Sequence, residues 1–65
     1  LILMRRLIMI IYETEECERI NLDIEEDGRL WIESDCEIIV VDKEQAAKLA
    51  RALQLYVDDG FKNDD

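Results

Sequence analysis

The alternation that runs from Arg19 to Glu25 and resumes after Gly28 constrains this chain more than any other feature. Ile20, Leu22 and Ile24 alternate with Asn21, Asp23 and Glu25, the period-two pattern of a half-buried strand. The pair Asp27-Gly28 suggests a two-residue hairpin loop, but that register would set Ile24 opposite Trp31 and turn Leu30 and Ile32 to the polar face. A three-residue loop, Glu26-Asp27-Gly28, with Gly28 left-handed in a G1 bulge, pairs Ile24 with Leu30 and Leu22 with Ile32. One apolar face results. The other carries Asp23, Glu25, Arg29, Trp31 and Glu33, with Glu25 opposite Arg29 and Asp23 opposite Trp31. Trp31 therefore points away from the apolar stripe, and a register off by one would return it there.

Strands flank this hairpin on both sides. Leu7 to Tyr12 is β-rich and apolar on both faces, with Leu7, Met9 and Ile11 on one side and Ile8, Ile10 and Tyr12 on the other. Glu13 to Cys17 reads as a charged turn, Ser34 to Cys36 as the next, and Glu37 to Val41 as a fourth strand apolar on both faces. Asp42 then starts a helix: its carboxylate can cap the backbone, Gln45 stands three residues on, and Ala46, Leu49, Ala50, Leu53 and Val57 recur at helical spacing. Gly60 suits the left-handed position past a helix end near Asp59, with Phe61 placed to fold back onto Tyr56. The expected fold is α+β, a four-stranded antiparallel meander with one C-terminal helix packed on one face, ββββα. One helix cannot cover both faces. Ile8, Ile10, Tyr12 and Trp31, with alternate members of Ile38 to Val41, are left for a second copy or a partner, so a homodimer interface is expected at Ile8, Ile10, Tyr12 and Trp31.

A chain of 65 residues makes a single small domain, 1–65, in which residues 1–4 read as an extension around the first Met and 61–65 as an acidic tail. A domain of this size buries only about 60% of its unfolded surface, so its stability is marginal and oligomerisation is a usual remedy. With 49% apolar residues the chain is too hydrophobic for disorder. No segment approaches the ~20 apolar residues that span a bilayer. Leu7 to Ile11 is too short for a signal-peptide core and lacks a small-residue cleavage site, so a cytoplasmic location without membrane contact is expected.

Catalysis is not expected. There is no His, and two Cys alone cannot complete a four-ligand zinc site, so neither a cofactor nor a metal is anticipated. Carboxylate pairs such as Glu13 with Glu15, or Glu25 with Asp27, lack the Asp-rich loop pattern of a calcium site. In a meander the turns holding Cys17 and Cys36 share one end of the sheet; free thiols are the default in cytoplasm, and a disulfide is the alternative. Asp58 and Asp59 stand at the helix C-terminus, where the macrodipole favours cations, so something must offset their cost.

The net charge of −9 is concentrated: residues 13–37 hold 11 acids and two basic residues. That field repels nucleic acid phosphates and anionic lipid and favours a basic protein surface, although a solvated, solubilising face reads the same way. Trp31 stands within it, and Trp is enriched among interface hot spots. The stretch Trp31 to Val57, WIESDCEIIVVDKEQAAKLARALQLYV, resembles the strand-then-helix endings of short phage and mobile-element reading frames. In general character the chain resembles small acidic phage-encoded inhibitors of the anti-CRISPR and DNA-mimic type. The resemblance implies a non-catalytic inhibitor in the host cytoplasm that occupies the basic site of a nucleic-acid-handling protein without binding nucleic acid itself. Asp23, Glu25, Trp31, Glu33, Asp35 and Glu37 are the expected contact residues. The alternative is a structural homodimer, as in a toxin-neutralising or assembly domain, whose acidity serves solubility.

Overall fold

The computed structural model describes residues 4–60. Four strands, β1 (Arg5–Ile11), β2 (Ile20–Glu25), β3 (Leu30–Glu33) and β4 (Ile38–Val41), are followed by one helix, α1 (Lys43–Asp59). The strands form one antiparallel sheet in chain order, with β1 and β4 at its edges. This is the ββββα order that the hydrophobic patterning requires.

The β2–β3 hairpin adopts the three-residue loop. Ile24 pairs with Leu30, Asp23 with Trp31 and Leu22 with Ile32. The Glu25 N–H donates to the Arg29 carbonyl at 2.9 Å, and the Gly28 N–H donates to the Glu25 carbonyl at 2.8 Å. Gly28 has φ of 94°, a left-handed conformation in which a Cβ would crowd the backbone. Asp27 supports the bend by accepting the Arg29 N–H at 3.0 Å, the side-chain turn for which Asp is favoured.

β1 departs from strict alternation. Its register against β2 shifts between Leu7 and Met9, so Ile8 is the extra residue of a bulge. Leu7 pairs with Asp23 and Ile10 with Asn21, which places both on the Trp31 face, while Met9 and Ile11 pair with Leu22 and Ile20 on the apolar face. The division of this strand into Leu7, Met9, Ile11 and Ile8, Ile10, Tyr12 is thus corrected. Ile10 keeps its expected side, Leu7 joins it, Ile8 has no cross-strand partner, and Tyr12 lies beyond the strand end. A bulge re-aims every residue on one side of it by one position, and nothing in an all-apolar run marks where it falls.

α1 begins on the capping box read from Asp42 and Gln45. Asp42 Oδ1 accepts the Gln45 N–H at 2.8 Å, and Gln45 Oε1 accepts the Asp42 N–H at 3.3 Å. At the other end Gly60 is left-handed, with φ of 67°, and its N–H donates to the Tyr56 carbonyl at 2.9 Å. Asp58 accepts the Gln54 amide at 2.9 Å, a local bond that compensates a carboxylate at the negative end of the helix dipole. The expected contact of Phe61 with Tyr56 lies outside the described residues.

The helix does not close over the sheet. Its contacts with the strands are concentrated on β4, and none of its residues is buried. Leu53 is 53% exposed and Val57 73%, so the later part of the expected packing stripe faces open space, while Ala46 near its start is half-buried. Among the described residues no apolar side chain is buried at all; the single buried residue is Glu25, 4% exposed. The Cα radius of gyration is 14.0 Å, against about 11 Å for a compact chain of this length. Only Asp42 separates Val41 from Lys43, and it is extended, with φ of −93° and ψ of −177°.

The conformation of Gly28 gives a direct expectation. A Cβ there meets no atom within 4 Å, so Gly28→Ala should cost only backbone strain, about 1–2 kcal/mol, with the hairpin register unchanged. Denaturant unfolding measures the cost and amide chemical shifts report the register; an unaltered midpoint would show that the left-handed loop is not required.

Candidate functional site

The Trp31 face gathers most of the charged side chains that alternation assigned to it, and it pairs Glu25 and Glu33 internally. Arg5 at the start of β1 is brought by the β1–β2 register beside Glu25, within reach of β3. Its guanidinium lies 4.2 Å from the Trp31 ring centroid, and one of its Nη atoms donates to Glu33 Oε2 at 2.8 Å. The Trp31 indole Nε1–H donates to Glu25 Oε1 at 3.1 Å, and Arg29 approaches the same oxygen at 3.5 Å. Arg29 also donates through Nε to Asp27 Oδ2 at 2.8 Å. A buried carboxylate is tolerated only when it is paired and hydrogen-bonded, and Glu25 has both kinds of partner.

Asp27 is the outer member of this group. The Arg29 backbone N–H first, and the Arg29 guanidinium with it, hold its carboxyl below the usual carboxylate range. The folded value lies below the unfolded one, so this contact is complete at neutral pH and weakens only as the pH falls through the lowered value.

Of the contact residues expected from sequence, Asp23, Glu25 and Glu33 are therefore not a presented acidic field. Glu25 is buried under Trp31, and Glu33 is paired with Arg5. Asp23 is half-buried between Leu7 and Trp31, and one of its oxygens, like Oδ1 of Asn21 beside it, is buried without a hydrogen-bond partner. Trp31 is half-buried beneath Arg5. Arg5 was the residue that alternation could not find, because its partners lie 20 or more positions away and only the register brings them together.

The exposed acids sit elsewhere. The β1–β2 connection and the β3–β4 turn lie at the same end of the sheet. There Glu13, Glu15, Glu16 and Glu18 line a shallow open depression with Thr14, Cys17, Arg19 and Asp35. Thr14 organises the first connection: its Oγ1 accepts the N–H groups of Glu16 and Cys17, each at 3.1 Å. Ser34 organises the second: its N–H donates to the Glu37 carbonyl at 2.9 Å, and its Oγ accepts the Glu37 N–H at 3.3 Å. Asp35 and Glu37, both expected contact residues, are exposed here. Among the described residues the carboxylates of Glu13, Glu15, Glu16, Glu18, Asp35 and Glu37 form no salt bridge. Cys17 and Cys36 occupy these two turns as exposed free thiols.

Among the described residues no group of three or more His, Cys, Asp or Glu side chains is placed to hold a metal ion, and no helix is long and apolar enough to cross a membrane. Compared with known proteins, the chain matches no family model, no curated protein and no solved structure.

Arg5 supports Trp31 from above and Glu33 from the side. Arg5→Ala should cost about 1–2 kcal/mol, the sum of a partly exposed ion pair and a cation–π contact. It should also shift Trp31 fluorescence to longer wavelength as the ring meets water. Emission that does not move would mean that the guanidinium contributes nothing to the cover of the indole.

Proposed function

We propose that the chain is a non-catalytic inhibitor that binds protein by charge. Its acidic loop end occupies a basic, nucleic-acid-binding site on an enzyme of the host cytoplasm. The observation that supports this is the separation of charge within the fold. Arg5 pairs with Glu33, and Arg29 with Glu25 and Asp27, while among the described residues the six carboxylates at the β1–β2 and β3–β4 end form no ion pair. A fold selected for solubility alone gains nothing by crowding like charges at one end, where they repel one another. Spaced carboxylates on two turns offer a basic groove the negative charge that it meets on a phosphate backbone, and the attraction speeds encounter as well as selecting the partner. The contact set accordingly moves from Asp23, Glu25 and Glu33 to Glu13, Glu15, Glu16, Glu18, Asp35 and Glu37. The phage-type anti-defence role implied by the resemblance of residues 31–57 is one setting for such a protein.

A second reading, a homodimerisation or assembly domain such as a toxin-neutralising protein uses, is supported by a different observation. The described chain has no buried apolar side chain, and large apolar residues are exposed on the sheet and on α1. Surface of this kind marks an association site. The two readings use different surfaces, so one protein can serve both.

The charge reading is tested by affinity capture from a host lysate with the intact chain and with a Glu15→Lys, Glu16→Lys, Glu18→Lys variant. A nucleic-acid-handling protein should be retained by the former, released by duplex DNA and lost with the variant. Retention should also fall steeply as salt shortens the screening length from ~10 Å at 0.1 M to ~3 Å at 1 M. Capture that ignores salt and charge reversal removes this reading. For the assembly reading, the thermal midpoint should rise with protein concentration, and a midpoint independent of concentration would count against it.

A further inference from the structure

We infer that two copies of the chain exchange their helices, α1 of each lying across the apolar sheet face of the other. This rests on the assembly reading and is independent of the charge reading. The face in question carries Leu22, Ile24, Leu30 and Ile32 on the middle strands, all only half-buried. At its edges Met9 is 54% exposed and Ile39 53%. The helix carries the complementary stripe of Leu49, Leu53 and Val57, spaced to lie on one side. Each surface is what the other lacks, and within one chain the helix meets the sheet chiefly at β4.

The junction explains why. Connections that return a helix onto its own sheet usually have two to six residues, and here a single residue, Asp42, stands between β4 and α1. Asp42 is also engaged by both bonds of the capping box, so it is committed to the helix start and cannot lengthen the turn. A connection too short to fold back is the geometry that leads an element to seat on a neighbouring copy.

Dimensions favour a second copy as the occupant. The accessible surface is 5890 Å², against about 4,300 Å² for a compact chain of 7.7 kDa. The surplus, on the order of 1,000 Å² or more, is the area that each subunit of an obligate dimer buries. Seventeen residues make α1 about 25 Å long, enough to cross four strands spaced ~4.8 Å apart. Among the strand residues of this face the charged one is Arg6, paired with Ile24 at the β1 edge, while Asp23, Glu25 and Glu33 lie on the Trp31 face. A two-fold axis lets each helix cover the other copy's face, so both copies are satisfied at once.

The test uses the full chain. Sedimentation should give twice the mass of 7.7 kDa. In an equimolar mixture of isotope-labelled and unlabelled chains, filtered NOE spectra should show Leu53 methyls against those of Leu22 and Ile32 across the label boundary. A variant with Gly-Ser-Gly-Ser inserted between Val41 and Asp42 should become a folded monomer, because the helix can then return to its own sheet. A dimer whose helix–sheet NOEs are absent or confined to one chain, with a mass indifferent to the insertion, overturns the exchange and leaves the assembly reading standing. A folded monomer of the parent chain at all concentrations overturns both. A chain that folds only when a different polypeptide is supplied gives this face to that partner and overturns the exchange.

Discussion

Register in the β2–β3 hairpin decides the placement of nearly every other side chain in the sheet. Side chains alternate with period two, so slipping this pairing by one residue would turn Leu30 and Ile32 toward Asp23 and Glu25 and send Trp31 to the apolar face. Gly28 prevents the slip by taking a left-handed conformation that lets three residues, not two, make the bend. With the register fixed, Trp31 stands beside Glu25 and donates its indole N–H to the one buried residue among those described. The outer strands then continue the two faces, and the bulge at Ile8 places Leu7 and Ile10 on the Trp31 side.

Charge follows from that arrangement. A chain with 17 acids and 8 basic residues cannot neutralise them all, so what matters is which carboxylates obtain a partner. Arg5 and Arg29 are held near the sheet carboxylates by strand pairing and by the hairpin, and they spend their charge there. The loops at the opposite end receive only Arg19, and their backbone turns are organised by hydroxyls of Thr14 and Ser34, which add no charge. An acidic end therefore emerges from a chain whose acids look evenly spread from Glu13 to Glu37. Counting charges along the sequence locates the region but overestimates the part of it left without an ion pair among the described residues.

Burial is the unsatisfied term. Folding a chain is opposed by conformational entropy, and apolar burial is the main force against it. Here the sheet and the helix are each well formed by local rules, with capping box, left-handed glycines and cross-strand register in agreement, yet neither covers the other. Local rules are satisfied here without a closed core among the described residues.

The sequence by itself determined the element order, the hairpin loop, the β2–β3 register, and the start and end of α1. Each depends on neighbours within a few positions: an alternation, a Gly that tolerates positive φ, an Asp with a Gln three residues on. Tertiary structure decided the rest. The bulge at Ile8 falls inside an apolar run that carries no mark of it, and Arg5 meets Trp31 and Glu33 only after two strand pairings. The direction in which α1 leaves β4 across Asp42 carries no mark in the sequence. Hydrophobic spacing states that a helix has a face to bury, but it says nothing of which sheet receives it, because that is a matter of distance and direction in three dimensions.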